Sequence, residues 1–512
     1  MNEYREFVLR GLLQHNYFPT TRPAKEEIPP IFSSEGLTPE VAAQLIGSSK
    51  FRKGGYDQLE YRLTRYNSVS RLLSMPHPLP HVELCFALCE HWDKFAYIDF
   101  NPNSQIKPRQ NDDGRLIIMN NYGGVLGKSQ QNLNQAFGKR YQVSTDITNC
   151  FPSIYTHAIP WALVGRNEAK AARLDHTQWF NQIDKKFRAC RRDETQGVAI
   201  GPGTSNVAVE IVLGRIDEKL RNRFTFVRYI DDYECFCSTE QEAMDFVREL
   251  EKLAAGYKLN LNVQKTKIFK LPQPVTADWI LELGRYLPQA KEPSVQDIFR
   301  FLDMAVCLAE KHPENSVLKY AVSAVNNLSI DYPSNQHCLD YLLSLSFHHS
   351  DLLPKLKSLM DGMCAKVFGQ VVDLSYSSAK LEDILIECAA LRRSDGMCWA
   401  LYLLGRSGHH ISQESARKIT ETEDALAILT LYWSGEKHKQ SVIEFAKSLD
   451  VSDVHELDRY WLLLYQIFYD GHIDNPYSDE PCFQILKENG VSFMHANDGI
   501  DSPAMEIETG MT

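Results

Sequence analysis

The chain has 512 residues, enough for two to four domains, and 44% of them are hydrophobic, enough for sizeable cores. Its formal net charge of −11 taken alone argues against a nucleic-acid binder. No apolar run approaches the roughly 18–20 residues that span a bilayer, so no membrane partner is expected. The 12 cysteines are scattered, as in a reduced cytoplasmic protein.

Charge has to be located before it is used. From Asp474 to Thr512 eight acidic residues face one cation, Lys487, a net of −7 that leaves −4 for the rest. Inside that remainder lie basic stretches: "KKFRACRR" (Lys185–Arg192), and Arg52, Lys53, Arg62, Arg65 and Arg71. Global acidity therefore leaves room for a local basic channel. The same stretches also read as solvated helix faces.

Residues 1–130 are mixed, punctuated by "FPTTRPAKEEIPP" and "SMPHPLPH". The opening "MNEYREFVLRGLLQHNYF" lacks the features of a secretory signal. Helix is expected around residues 82–95. There "CFALCEH" (Cys85, Cys89, His91) is the nearest thing to a metal cluster. Its i, i+4 spacing also fits one face of a buried helix, and no second ligand pair lies nearby.

From Tyr141 to about Leu271 strand-like and helix-like segments alternate. "RYQVST" is β-rich and ends at Asp146; "NVAVEIVLGRIDEKL" has helical period; "FTFVRYI" and "YECFCS" are strand-like and nearly abut. "EQEAMDFVRELEKLAAGY" predicts an amphipathic helix, and "LNLN" a short strand. An α/β core with an antiparallel hairpin follows.

Beyond Pro293 strand signals fade and amphipathic helices dominate. "SDGMCWALYLLGRSG" and "TEDALAILTLYWSGE" look related, and "LDRYWLLLYQIFYDG" more weakly. Their spacing of roughly 30 residues suits stacked helical repeats, with an ordinary bundle as the alternative. The expected divisions are residues 1–130, 131–290, a helical region 291–475, and an acidic, flexible tail 476–512.

Chemistry concentrates in "TFVRYIDDYECFCS". Asp is depleted in strands, and adjacent carboxylates repel unless a cation offsets them. Asp231 and Asp232 at a hairpin tip, lacking the glycine that a two-residue loop favours, make a hard-oxygen site for a divalent cation. Asp146, ending its β-rich run, is the third carboxylate. Carboxylates around paired cations are suited to in-line phosphoryl displacement, the chemistry of nucleotidyl transfer.

These residues resemble a known family. Tyr-x-Asp-Asp at a hairpin tip, preceded by Asp-x-x-x-x-Phe, resembles the palm of reverse transcriptases. "QGVAIGPGTSN" (Gln196–Asn206) is similar to the family's Gly-rich segment, and "LNLNVQKTKI", with Lys265, to its next palm segment. "IYTHAIPWALVGRNEAK" and "RRDETQGVAIG" are similar to the abortive-infection reverse transcriptases of bacteria, the AbiK, AbiA and prophage P2 type of the defence-associated "unknown group". The resemblance implies an α/β (α+β) fingers–palm domain followed by an all-α HEAT-like helical-repeat domain in place of a thumb.

Roles follow from the resemblance. Asp146, Asp231 and Asp232 are the expected catalytic residues, and Asp146, Ile147, Asp231 and Asp232 the expected ligands of Mg²⁺, or Mn²⁺. Phe151 stands where a bulky side chain crowds a 2′-hydroxyl, Gly201 where backbone approaches the nucleotide, and Arg71 where a fingers residue grips triphosphate. Lys265 would protonate or neutralise leaving pyrophosphate. Each also has a plainer reading: Phe151 as core, Gly201 as a turn residue, Arg71 and Lys265 as ion-pair formers.

Ile200 departs from the family pattern, which has Gln there, and no usual thumb sequence is evident. Both suit synthesis that need not copy a template and starts on a protein hydroxyl. Tyr4, Tyr17, Tyr56, Tyr61 and Tyr66 lie upstream of the palm, and nothing in the sequence selects a priming residue. The expected partners are deoxynucleoside triphosphates, a single-stranded DNA product, RNA, a phage component as trigger, and further copies of the chain in a trimer or hexamer. A conventional RNA-templated reverse transcriptase, or a silent binding module, are the rival readings.

Overall fold

A computed structural model describes residues 3–20, 26–48, 52–65, 69–117, 124–328, 332–366, 375–450, 452–477 and 480–495. Two sheets organise its first half. β1 (Gln58–Leu63) and β2 (Arg71–Pro76) form an antiparallel hairpin, in register from Gln58↔Pro76 to Leu63↔Arg71. After helix α1 (Gly124–Ala136), β3 (Tyr141–Asp146) opens the main sheet. Then come α2 (Trp179–Ala189), α3 (Gly203–Leu220), β4 (Thr225–Tyr229), β5 (Asp232–Cys237), α4 (Glu240–Gly256) and β6 (Lys267–Lys270). The strands lie in the order β4-β5-β3-β6, all antiparallel.

Local sequence explains most of these elements. Val143, Phe226, Tyr233, Cys235 and Cys237 fall at every second position and turn one face of the sheet into the core, while Val227, Tyr229 and Phe236 are buried on the other. On α4, Ala243, Phe246, Leu250 and Ala254 repeat at helical period and are buried, and Thr239 caps its start by accepting from the Glu242 N–H. α4 packs against β5, β3 and α3. α3 is buried on nearly every side, as its apolar sequence requires. The strand expected over residues 259–262 is reduced to one bridge, Ile147↔Leu261; pairing with β3 resumes only at Lys267. An Asx turn on Asn262 consumes the intervening residues, its side chain accepting from the N–H of Gln264 and Lys265.

Beyond β6 the described residues form helices and no further sheet strand. The three related stretches become α5 (Ser394–Arg406), α6 (Ala425–Ser434) and, after α7 (Val454–Arg459), α8 (Trp461–Tyr469). α5 packs on α6 and α6 on α8, in sequence order. No helix among the described residues is long and apolar enough to cross a membrane.

The N-terminal ends of these helices meet the open edge of β1. The N–H of Arg62 donates to Ser394 Oγ at 2.9 Å, and that of Thr64 to Asp395 Oδ2 at 2.8 Å. Nearer the start of the hairpin, the Asp57 N–H donates to Asp458 Oδ2 at 2.8 Å. Trp461 Nε1 donates to the Met75 carbonyl on β2. An edge strand left bare is a template for mispairing, and here helical side chains occupy its donors. The helical region is therefore docked on the β1–β2 hairpin.

The segment expected as a flexible tail is partly otherwise. α9 (Cys482–Glu488) buries Cys482, Phe483 and Leu486, and Val491, Phe493 and Met494 are also buried. Residues 31–33 hydrogen-bond with residues 493–495, through Ser33 N–H to Phe493 O and His495 N–H to Ile31 O. Apolar side chains interleaved among the acidic ones account for this. Residues 478–479 and 496–512, with five of the eight acidic side chains counted above, lie outside the described residues.

Candidate active site

Register brings the carboxylates together. In the β3–β5 ladder Asp146 is the Cα partner of Asp232, and Tyr229 pairs with Asp232 across the β4–β5 hairpin. Opposed residues share a face, so both carboxylates leave the sheet on the side away from α4. The hairpin loop is Ile230–Asp231, not the Asp-Asp pair that the sequence suggested, because Asp232 already belongs to β5. Asp231 is tied back to β3 through its carbonyl, which accepts from the Ile147 N–H at 3.3 Å.

The loop is strained. Ile230 has φ +60°, a left-handed conformation that β-branched residues rarely adopt. Its first loop position would suit glycine. Strain of this kind persists where surrounding structure over-determines it. Asn149, φ +45°, makes the reversal after β3 and starts the short helix Cys150–Ser153.

Electrostatics mark the cluster. Burial, then Asp232 and Asp146, push the Asp231 carboxyl up to about 6. Burial also raises Asp232, opposed by the charge of Lys265. Lys265 Nζ lies 2.5 Å from Asp146 Oδ2, and that contact raises its own pKa. Two neighbouring bonds place it: Asn262 N–H to Asp146 O, and the Thr145–Thr266 hydroxyl pair. Asp146 Oδ1 is buried and has no hydrogen-bond partner among the described residues.

These oxygens fit a hard divalent cation: two carboxylates opposed, a third at the loop, one oxygen buried with no donor. Ile147, with an apolar side chain, has only its backbone carbonyl to offer. Among the described residues no three His, Cys, Asp or Glu side chains already stand as a metal cage. Lys265 hydrogen-bonds Asp146, and its charge also reaches Asp232 and Asp231.

The other expected residues are placed variously. Arg71 begins β2, and its charge lies within reach of Asp231 as well as Glu27. Phe151 is only 4% exposed and belongs to the core, its carbonyl accepting from the Val198 N–H. Gly201, φ +133°, does permit a close approach, but to protein: an added Cβ would lie 3.3 Å from both Pro19 Cγ and Ser74 O. Ile200 packs against the core and accepts from the Ser74 N–H.

The expected basic stretch on α2 is largely paired. Lys186 meets Glu83, Arg188 meets Asp184 and Asp193, and Arg192 meets Asp57. Cys85 faces His81, and Cys89 donates to the Arg5 carbonyl. Among the tyrosines, Tyr17, Tyr56 and Tyr61 are wholly buried, and Tyr17 donates to the Pro76 carbonyl. Tyr4 is partly exposed and donates to Asp99; Tyr66 lies outside the described residues.

Two features escaped sequence reasoning. α1 lies on the outer face of β4–β5: Lys128 reaches Glu234 at 3.2 Å and the Tyr229 ring, and Asn132 also bonds Glu234. Under the hairpin, fully buried Arg228 pairs with Glu210 and Asp217 of α3. A signal for the second existed: two acids seven residues apart share a helix face, on a helix otherwise apolar at those turns.

Residues 96–306 match the family model described as reverse transcriptase (RNA-dependent DNA polymerase). No curated protein matches the chain significantly. Among solved structures, the chain is similar to telomerase from Candida albicans in complex with a fragment of telomeric RNA. That match has 12% identity over 83% of this chain and 71% of the other, with a TM-score of 0.27. Apo telomerase from Candida tropicalis matches at 10% identity over 79% and 73%, with a TM-score of 0.31. The segment that holds Asp146, Asp231 and Asp232 thus matches a reverse transcriptase domain.

Proposed function

We propose that the chain polymerises deoxynucleotides in bacterial antiphage defence of the abortive-infection kind, building single-stranded DNA attached to itself without copying a template. The observation that carries the polymerase reading is the opposed pair Asp146 and Asp232 beside Asp231, within the segment that matches the reverse transcriptase family. Asp146, Asp231, Asp232 and the Ile147 carbonyl would hold Mg²⁺, or Mn²⁺. Bound there, the cations would supply charge stabilisation to the attacking and leaving oxygens.

The chain's own residues do the rest. The hairpin loop and the end of β3 fix where the carboxylates sit. Lys265, the cation nearest Asp146, neutralises or protonates the departing pyrophosphate. Arg71, within reach of Asp231, orients the triphosphate. Phe151, packed in the core, would wall the sugar site from beneath and disfavour a 2′-hydroxyl.

Template independence and self-priming are supported by the resemblance to the abortive-infection group and by Ile200. At that position a polar side chain would contact substrate, and an apolar one packs instead. The helical region, read as HEAT-like repeats, takes the thumb's place and supports assembly into a trimer or hexamer in the cytoplasm. A phage component, with or without RNA, would trigger it.

The test is incubation of purified protein with Mg²⁺ and each labelled deoxynucleotide, without primer or template. The denaturing gel is run with and without protease. Label that migrates with the protein, is lost on protease treatment and is absent in Asp231→Ala supports the reading. Extension only of an added primer on RNA returns the protein to conventional reverse transcription.

A further inference from the structure

The geometry points to Arg228 as a positioning residue for the Ile230–Asp231 loop, clamped from below by Glu210 and Asp217. The inference rests on the polymerase reading only for what the loop is used for. Its structural basis is independent.

Arg228 sits on β4, two residues before Ile230, and faces the core. Its side chain, like those of Glu210 and Asp217, has no exposed surface. Nη1 and Nη2 donate to Glu210 Oε1 at 2.8 Å and Oε2 at 3.0 Å, a forked pair. Nε donates to Asp217 Oδ2 at 2.8 Å. Asn101 and Tyr233 complete the Asp217 carboxylate, at 2.7 Å and 3.1 Å. Segment 103–105 brackets the Arg228 backbone, Asn103 O accepting from its N–H and Gln105 N–H donating to its carbonyl.

A buried ion cluster of this size is a poor means of gaining stability, since desolvation offsets most of the attraction. What it does gain is direction. Arg228 Nη1 also donates to the Ile230 carbonyl at 2.7 Å. That is the residue held at φ +60°, against its own preference. The guanidinium thus fixes the peptide that joins Ile230 to Asp231. An extended β-branched residue there would swing Asp231 away from β3 and from Asp146. Because α3 holds Glu210 and Asp217 rigidly one above the other, the loop is referred to a helix rather than to the strands alone.

Three variants test this: Arg228→Lys, Ile230→Gly, and the two combined. Lysine keeps the charge but, with three donors on one atom, cannot reproduce the forked pair to Glu210 together with the bonds to Asp217 and the Ile230 carbonyl. Glycine reaches φ +60° without strain. Two readouts are independent of turnover: amide hydrogen exchange across residues 228–234, and Mn²⁺ affinity by electron paramagnetic resonance. Arg228→Lys should lose protection at the loop and bind Mn²⁺ on the order of tenfold more weakly. Adding Ile230→Gly should recover most of both, although it replaces no lost ion pair.

Unchanged exchange at the loop in Arg228→Lys, or a double variant no better than the single, overturns the inference. If Arg228→Lys fails to fold, Glu210→Gln with and without Ile230→Gly replaces it, with the same rescue required. The polymerase reading fails separately, when the unmodified protein incorporates no nucleotide yet shows the protected loop.

Discussion

Asp146 and Asp232 stand directly opposite each other at the end of the β3–β5 ladder, and Asp231 follows from the adjoining loop. Two of these three carboxylates titrate above the ordinary range because each is partly withdrawn from water and faces like charge. The arrangement is destabilising by itself, which sites for cations commonly are.

A first prediction concerns pH and cations. Asp231 is pushed up to about 6, above its value in an unfolded chain. Between those two values the folded state binds the extra proton, so stability falls as pH rises toward 6 and the loss is complete above it. A divalent cation then offsets the ionised charge. Adding Mg²⁺ should therefore raise the Tm more at about pH 7.5 than at about pH 5, and Asp231→Asn should abolish that difference. Asp231→Asn without cation should be more stable than the parent by about 1–2 kcal/mol near neutral pH, while losing incorporation. Thermal unfolding with and without Mg²⁺ decides; equal Mg²⁺ effects at both pH values would count against the cluster as the cation site.

Lys265 is the second. It is the cation closest to Asp146 and its side chain is largely exposed. Lys265→Ala should leave the fold intact and lower the rate of incorporation by roughly 10²-fold, the usual scale for a lost proton donor. Lys265→Arg should retain part of that rate at higher pH, since guanidinium keeps charge but gives up no proton. Single-turnover kinetics separate these outcomes from a change in nucleotide affinity.

Gly201 makes a structural prediction where its family role suggests a substrate one. Its φ of +133° and its contacts with Pro19 and Ser74 leave little room for a methyl group. Gly201→Ala should cost about 1–3 kcal/mol of stability through backbone strain alone. A full Tm with a raised KM for nucleotide would instead place the glycine's service at the substrate.

The contact between Thr64 and Asp395 tests whether the helical region is separable. Asp395 Oδ1 and Oδ2 accept from the Thr64 hydroxyl and N–H, and Oδ1 also from the Gly396 N–H, in full burial. Asp395→Ala leaves those donors unmet and should cost about 2–4 kcal/mol. A chain ending near residue 290 exposes the whole β1 edge and should aggregate. A soluble, cooperatively unfolding chain of that length would show that the β1–β2 hairpin stands without its helices.

Much of the architecture was legible because it is local. Period-2 alternation marked β3, β4 and β5, period-3.6 marked α3 and α4, and the rise of helical signal beyond Pro293 marked the change of region. Elsewhere local signals compete. Ile230 adopts a conformation that its residue type disfavours, so the loop lies one residue before the Asp-Asp pair. The strand at 259–262 yielded to the Asx turn on Asn262. The acidic stretch after Pro476 hid enough apolar residues to fold as α9 and its following strand-like segment.

By itself, the sequence determined which residues carry the chemistry and in what order: an Asp ending a strand, a paired Asp at a hairpin, a Lys beyond it. Only the tertiary structure decided what each one faces. Asp146 meets Asp232 through ladder register and Lys265 through a turn 119 residues on. Arg228 meets Glu210 from a helix, and Thr64 meets Asp395 across 331 residues of chain. Periodicity fixes the face on which a side chain lies, because that depends on backbone geometry within a few residues. Partners across the fold depend on packing that no local pattern encodes.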